Sequence, residues 1–333
     1  MKTGVIISSF LVLVLLMILN MVIGTFDFTW KNVFTFNMQS MDMKILLNLR
    51  IPRALLALCV GTSLAISGAG LQAVFRNPLA DPGLIGISSG SAVFAAIYIL
   101  CFSTIDNHFL NMYGINIAAF AGGILTCFLV TYFAQISGKI IITYMLLIGV
   151  ALNAIAGTIL GLINYLSDDQ TLRALTFWTL GSLNGVTWPE LIATIIFTIL
   201  GFVIIYRLRK ALNLLMLGAE EADYVGLNSQ KLYLLIFIAS SLMVGASVAA
   251  AGMVGFVGLV IPHLVRICIT SDHRSMLLLS AIWGSMLLLL ADIASRVIAP
   301  PQVVPIGILT SLLGAPFFFL LLVYNIRKQS FNV

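Results

Sequence analysis

Apolar residues fall along this chain in long runs that carry no charge, with the ionisable residues confined between them. Stretches free of Asp, Glu, Lys and Arg cover 3–26, 54–75, 82–105, 107–138, 140–167, 191–206, 232–265, 275–291 and 297–326. A helix needs about 20 apolar residues to cross a hydrocarbon core of about 30 Å, so these nine stretches predict transmembrane helices. The stretch 232–265 would run about 51 Å as one helix and contains Gly252, Gly255, Gly258 and Pro262, which punctuate helices. It therefore predicts two spans, one of them short, and brings the total to ten. A further charge-free stretch, 174–189, carries Gly181-Ser182-Leu183-Asn184-Gly185 and Pro189. It reads as an interfacial helix and turn, with Trp178 and Trp188 at headgroup depth. The run from Val5 to Gly24 is longer than the apolar region of a secretory leader, about 7–15 residues, and no small-residue cleavage site follows; it reads as a retained first span.

An even number of spans puts both basic termini on one side, and the bias of Lys and Arg towards the cytoplasm makes that side the inside. The inner set is then Lys2, Arg76, Lys139, Arg207, Arg209, Lys210, Lys231, Arg266, Arg274, Arg327 and Lys328; the outer set is Lys31, Lys44, Arg50, Arg53, Arg173 and Arg296. Residues 1–333 form one membrane domain, and its longest hydrophilic stretch is a cytoplasmic loop over 207–231. Two small-residue spans, one ending at Asn77-Pro78 and one at Ile261-Pro262, suggest an internal repeat of the kind found in transporters.

Composition narrows the class. Hydrophobic residues make up 61% and charged residues 9%, with mean hydropathy +1.11, against about 25% charged in a soluble domain. A soluble enzyme, a disordered chain and a secreted disulfide scaffold are excluded, and so is a β-barrel, whose strands would alternate polar and apolar. Cys59, Cys101, Cys127 and Cys268 lie in or beside apolar runs and form no C-x-x-C pair, so they read as small hydrophobes. The net charge of +5 reads as an orientation signal towards the bilayer, with no nucleic-acid partner.

The sequence offers no energy source of its own. The one Gly-Lys pair, Gly138-Lys139, lacks the spaced glycines and the Ser/Thr of a phosphate-binding loop. The sole candidate for an ion relay is Asp292, near the outer end of span nine, and Arg296 one turn later suits a local i,i+4 ion pair. His108, His263 and His273 stand apart from other ligands, so neither a catalytic nor a metal site is expected. A pore subunit that borrows energy from a partner fits these absences better than a stand-alone ion-coupled carrier.

Three features bear on such partners. In Arg50-Ile51-Pro52-Arg53 the spacing of three sets both guanidinium groups on one face, and Pro52 suits a first helical turn. With Arg296 on the same side, three outward arginines either hold carboxylates of an external protein or snorkel to lipid headgroups. The stretch Leu217 to Asn228 has Glu220, Glu221 and Asp223 early and Gly226 late, the pattern of a short helix with acids near its N-terminus and a glycine stop. It reads as a piece that transmits motion from a cytosolic motor, or as a solvated loop helix. Gly, Ala and Ser are dense at Ser67–Gly70, Gly245–Gly258 and Gly307–Gly314, which reads as close helix packing.

These segments together resemble the FecCD-type permeases, membrane subunits of ABC importers for ferric siderophores, heme and vitamin B12. The resemblance runs through Arg50-Ile-Pro-Arg53, Ser67-Gly-Ala-Gly-Leu-Gln72, Arg76-Asn-Pro-Leu-Ala-Asp-Pro-Gly83, Gly86-Ile-Ser-Ser-Gly90, Leu217-Gly218, Gly252 to Arg266, Ala291-Asp-Ile-Ala-Ser-Arg296 and Pro305 to Pro316. It implies an all-α, ten-span type II importer permease in the bacterial cytoplasmic (inner) membrane. Two copies pair around one pore, two ABC ATPase subunits dock below, and an extracytoplasmic substrate-binding protein docks above. ATP-Mg is used by the ATPase partner, and this chain binds no cofactor. The resemblance implies docking of the binding protein at Arg50, Arg53 and Arg296. It implies seating of the ATPase on Leu217, Gly218, Ala219, Glu220, Glu221, Ala222, Asp223, Gly226 and Leu227. It also implies a cytoplasmic gate at Ile142 and Thr143, before Leu146-Leu147-Ile148-Gly149, and a structural role for His263 as a polar loop anchor beside Arg266. Leu175 to Ser182 with Ala299-Pro-Pro-Gln302 is most similar to heme permeases, then to ferric-siderophore permeases, then to those for vitamin B12.

Overall fold

The structure is a computed structural model and describes residues 2–24, 41–102 and 107–330. Lys31 lies outside the described residues, as do the side chains of Lys2, Arg327 and Lys328. Among the described residues, ten apolar helices form a bundle. Seven are long enough to cross a membrane: α1 (Lys2–Val22), α2 (Met41–Val74), α4 (His108–Phe133), α5 (Ile142–Leu166), α7 (Trp188–Arg207), α10 (Ser229–Ala251) and α12 (His273–Val297). Two are shorter, α3 (Ile87–Phe102) and α11 (Val257–Cys268), and the last, α13 (Ile306–Ser330), has 25 residues with Pro316 inside it. Between them lie the small helices α6 (Asp169–Thr179), α8 (Arg209–Leu215) and α9 (Ala219–Tyr224), and a hairpin of β1 (Gln135–Ile136) and β2 (Lys139–Ile140).

The charge-free stretch 232–265 does divide. Gly252 and Phe256 both take positive φ, α10 stops at Ala251, and α11 has 12 residues, about 18 Å of helix and too short to span alone.

Helix α2 is the centre. Of its most apolar window 83% is buried, against 17% for α5. Lipid tails are as apolar as leucine, so helices in a bilayer associate by close packing and interhelical hydrogen bonds. The small residues of α2 serve that need. A Cβ on Gly61 would overlap the Gly284 carbonyl of α12, and one on Gly284 would overlap that of Gly61; Gly68 meets Gly258 of α11 in the same way. Hydroxyls add cross-links, Ser63 to Thr198 at 2.9 Å and Thr62 to Ser285 at 2.9 Å. Gln72 Nε2 donates to the carbonyls of Gly258 (3.3 Å) and Leu259 (3.2 Å) and so grips the start of the short helix. Helix α1 is part of the bundle, with Trp283 Nε1 of α12 donating to Ser9 Oγ at 3.1 Å.

Four local expectations change. Span two starts at Met41, well before Arg50, and passes through a π-helical turn at Leu46–Arg50. Pro52 brings no N–H to the ladder, and a shift of one residue in hydrogen-bond register just before it accommodates that loss. The interfacial helix begins at Asp169, upstream of the charge-free stretch, because the Asp168 carboxylate caps it by accepting from Thr171 N at 3.0 Å; the Thr171 hydroxyl first, and its backbone N–H second, hold the carboxyl below its ordinary range. Pro262 lies inside α11, whereas Asn77-Pro78 lies in a loop, so the two segments do not match as repeat ends. His263 is a buried residue within α11, with neither ring nitrogen hydrogen-bonded, and is not a loop anchor.

Candidate functional site

One end of the bundle gathers the arginines. Here α1 ends, α2 passes Arg50 and Arg53, and α12 brings in Asp292 and Arg296. Asp292 is fully buried and is held from three sides. Arg53 Nε donates to Oδ1 at 2.7 Å, Arg296 donates through a terminal guanidinium nitrogen to Oδ2 at 2.8 Å, and Asn20 Nδ2 donates to Oδ2 at 2.9 Å. The i,i+4 pair expected from sequence exists, and a second arginine from another helix completes it. Two guanidinium groups and an amide repay the cost of burying this carboxylate, so the cluster reads as a structural ion-pair network.

The arginines do not all face outward. Arg50 donates to the carbonyls of Met21 (2.6 Å) and Val22 (2.8 Å), and Arg296 to those of Asn20 (3.1 Å) and Ile23. These carbonyls at the end of α1 have no partner within their helix, and a cation suits the negative end of the helix dipole. Arg50 and Arg296 are accordingly 6% and 7% exposed. The Arg53 side chain is 14% exposed and also donates to Asn184 Oδ1. All three guanidinium groups line a depression of about 240 Å³ with Asn48, Asn184 and Gly24.

At the opposite end, α8 and α9 make the loop helices. Gly218 precedes α9 with φ of 147°, a conformation L side chains rarely adopt, and Glu220 and Glu221 occupy the first turn as the sequence suggests. Ala222 packs inward at 2% exposure, Ala219 and Leu227 are half-buried, and Gly226 (φ 92°) ends the turn. Asp223 is bonded to Ser229: its carboxylate accepts from Ser229 N (2.9 Å) and Oγ (3.0 Å). Tyr224 and Val225, outside the residues expected to seat the ATPase, are 89% and 72% exposed, and Leu217 is 73% exposed. Their signal was available: apolar side chains two and three residues past Ala222 leave the face it buries. Asn213 of α8 bonds Asp272 (2.7 Å) and the His273 backbone N–H (2.9 Å), which fixes the loop to the start of α12.

The first turn of α5 carries Ile142, half-buried, and Thr143, exposed, at the same end as α9. Between the two ends, one side of the bundle holds an open cleft of about 710 Å³ between α6, the 252–256 break and α13. Thr179, Met253, Gly255, Ser311, Leu312 and Pro316 are among its lining, and none of the lining residues is charged. The irregular segment 180–182 stitches its walls. Leu180 O and Gly181 O accept from Gly307 N (3.0 Å) and Ile306 N (3.1 Å) at the start of α13, and Ser182 N donates to Ala251 O (2.8 Å) at the end of α10. Helix ends that would otherwise need water or lipid are thereby satisfied within the protein.

A ten-helix bundle with buried ion pairs at one end, exposed loop helices at the other and an uncharged cleft between them is a membrane permease. The chain belongs to the FecCD transport family, whose family model matches residues 12–324, and it is thus the permease subunit of an ABC importer. It is 38% identical over 307 residues to the hemin transport system permease protein HmuU of Yersinia pestis, covering 92% of this chain and 91% of that one. It is 36% identical over 288 residues to the vitamin B12 import system permease protein BtuC of Vibrio cholerae, covering 86% and 85%. Among solved structures it is similar to a metal-chelate type ABC transporter in an inward-facing conformation, with TM-score 0.85, 32% identity and coverage of 97% and 99%.

Proposed function

We propose that this chain passes an iron complex, heme first and ferric siderophores next, through a pore formed with a second copy of itself. The observation that carries the reading is the uncharged cleft beside α13, which suits a large, mostly apolar cargo. The 38% identity to a hemin permease supports heme over the alternatives. Helix α5 leaves Leu147, Val150, Ile155 and Leu162 more than half exposed, an apolar flank suited to the second copy. The extracytoplasmic binding protein docks at the arginine end, over the depression that Arg50, Arg53 and Arg296 line, with Arg53 the most exposed of the three, and two ABC ATPase subunits seat on α9. Both termini then lie in the cytoplasm, and Ile142 and Thr143 form the gate there.

The cargo is tested with the cognate binding protein and the reconstituted permease–ATPase complex in proteoliposomes. ATP-dependent uptake of hemin in preference to a ferric siderophore or cobalamin is expected. Preference for either of the others reassigns the cargo, and ion-driven uptake without an ATPase overturns the importer reading.

The docking assignment has its own test. Arg53→Glu would set a second carboxylate against Asp292, so Arg53→Gln is the cleaner change. Because Arg53 also compensates buried Asp292, capture is compared at equal amounts of folded, ATPase-bound complex, where losing a charge-assisted contact of about 1.5–3 kcal/mol is expected to weaken binding-protein capture roughly tenfold or more. Wild-type capture by Arg53→Gln removes Arg53 from the docking surface.

A further inference from the structure

We propose that Gln230 carries the movement of α9 to α5, acting as a clamp between the ATPase seat and the gate helix. The proposal rests on the reading of α9 as that seat. The chain of contacts is short. Asp223, in α9, accepts from both the backbone N–H and the hydroxyl of Ser229 at 2.9 and 3.0 Å, and Ser229, 3% exposed, is the first residue of α10. The next residue, Gln230, reaches sideways to the hairpin. Its Oε1 accepts from Ile140 N at 2.6 Å and its Nε2 donates to Ile140 O at 3.4 Å.

One side chain thus takes both main-chain groups of one strand residue, as a neighbouring strand would do at a sheet edge. The hairpin is a stiff handle: Gln135 pairs with Ile140 and Ile136 with Lys139, closed by Ser137 and Gly138, both at positive φ, the twist favoured in two-residue hairpins. Ile141 follows Ile140 directly and is already the N-cap of α5, so no flexible linker separates the clamp from Ile142 and Thr143.

Helix α5 is also pinned at one point along its length. Asn153 Nδ2 donates to the carbonyls of Gly83 (3.0 Å) and Leu84 (3.4 Å), and its Oδ1 accepts from Ser89 Oγ (2.6 Å). Gly149, one turn earlier, lies against the Leu84 carbonyl closely enough that a Cβ would overlap it. From Ile142 to Asn153 is about 16 Å of helix. A rod driven at one end and hydrogen-bonded near its middle, with Met145, Ala156 and Ile163 packed on one face and the rest of its length mostly exposed, is a lever. Displacement of α9 pulls Ile140 through Gln230, and α5 turns about Asn153.

The test compares wild type with Gln230→Leu and Gln230→Glu in the assembled permease–ATPase complex, reading ATPase co-purification, ATP hydrolysis and solute transported per ATP. Gln230→Leu removes both bonds and is expected to keep the ATPase bound while transport per ATP falls about tenfold, the size of a typical coupling between sites. Gln230→Glu keeps the acceptor for Ile140 N–H and is expected to recover part of that ratio. A wild-type ratio in Gln230→Leu, or equal loss in the leucine and glutamate variants, overturns the clamp. If Gln230→Leu yields no folded protein, the ratio is read in Gln230→Asn, whose amide falls one methylene short of Ile140; a wild-type ratio there also overturns it. A wild-type chain that captures no ATPase overturns the seat on α9, and the clamp with it, and differs visibly from failure of the clamp alone.

Discussion

Asp292→Asn is expected to cost this permease most of its folded population. The side chain is fully buried and compensates two guanidinium groups from different helices, at 2.7 and 2.8 Å. Asparagine keeps the shape but removes the charge, which leaves Arg53 and Arg296 as poorly compensated cations in a poorly hydrated site. Breaking a buried pair in this way costs about 3–5 kcal/mol. Arg296 also closes the end of α1 through Asn20 O and Ile23 O, so loosening its guanidinium frees a second helix. Thermal unfolding in detergent should show a lower midpoint, and less protein should accumulate in the membrane. The same variant separates two views of this carboxylate. In an ion-coupled carrier Asp292→Asn would fold normally and lose only its dependence on the ion gradient; normal folding with that loss would contradict a structural role for Asp292.

Tyr224→Glu combined with Val225→Glu is expected to have the opposite pattern, with stability unchanged and assembly lost. Both side chains are largely exposed, at 89% and 72%, so charges there bury nothing and disturb no packing. If α9 seats in an ATPase groove, an exposed aromatic on it is the kind of anchor that dominates an interface, and its loss costs about 2–4 kcal/mol. Co-purification of the ATPase should then fall by well over tenfold and ATP-dependent uptake should reach background, while the unfolding midpoint of the isolated permease stays put. Full co-purification by the double variant would move the seat away from α9.

Part of each site is local in the sequence and part is not. The pairing of Asp292 with Arg296 follows from helical spacing, because i and i+4 meet whatever the surroundings. Its pairing with Arg53 joins residues 239 positions apart, and no local pattern carries that. The short acidic helix at 219–224 was legible from its glutamates and the glycine after it. Asp223's bond to Ser229 was not, because a carboxylate in an acidic run looks like solvent-facing charge until the chain turns back on it. The outward face expected of Arg50 and Arg296 failed for a related reason. Three-residue spacing fixes which side of its own helix a group leaves, but the end of α1 fills that space with carbonyls only once the bundle is packed.

The order of residues was enough to set the solvent, the count of spans and the break near Gly252, since these depend on the length of uncharged runs against bilayer thickness and on residues that cannot continue a helix. Packing in three dimensions was needed to settle which helix is central, which arginines close α1, and how the hairpin before α5 meets α10. Those outcomes depend on distances between segments far apart in the chain, which close packing of small residues sets and local propensity does not encode.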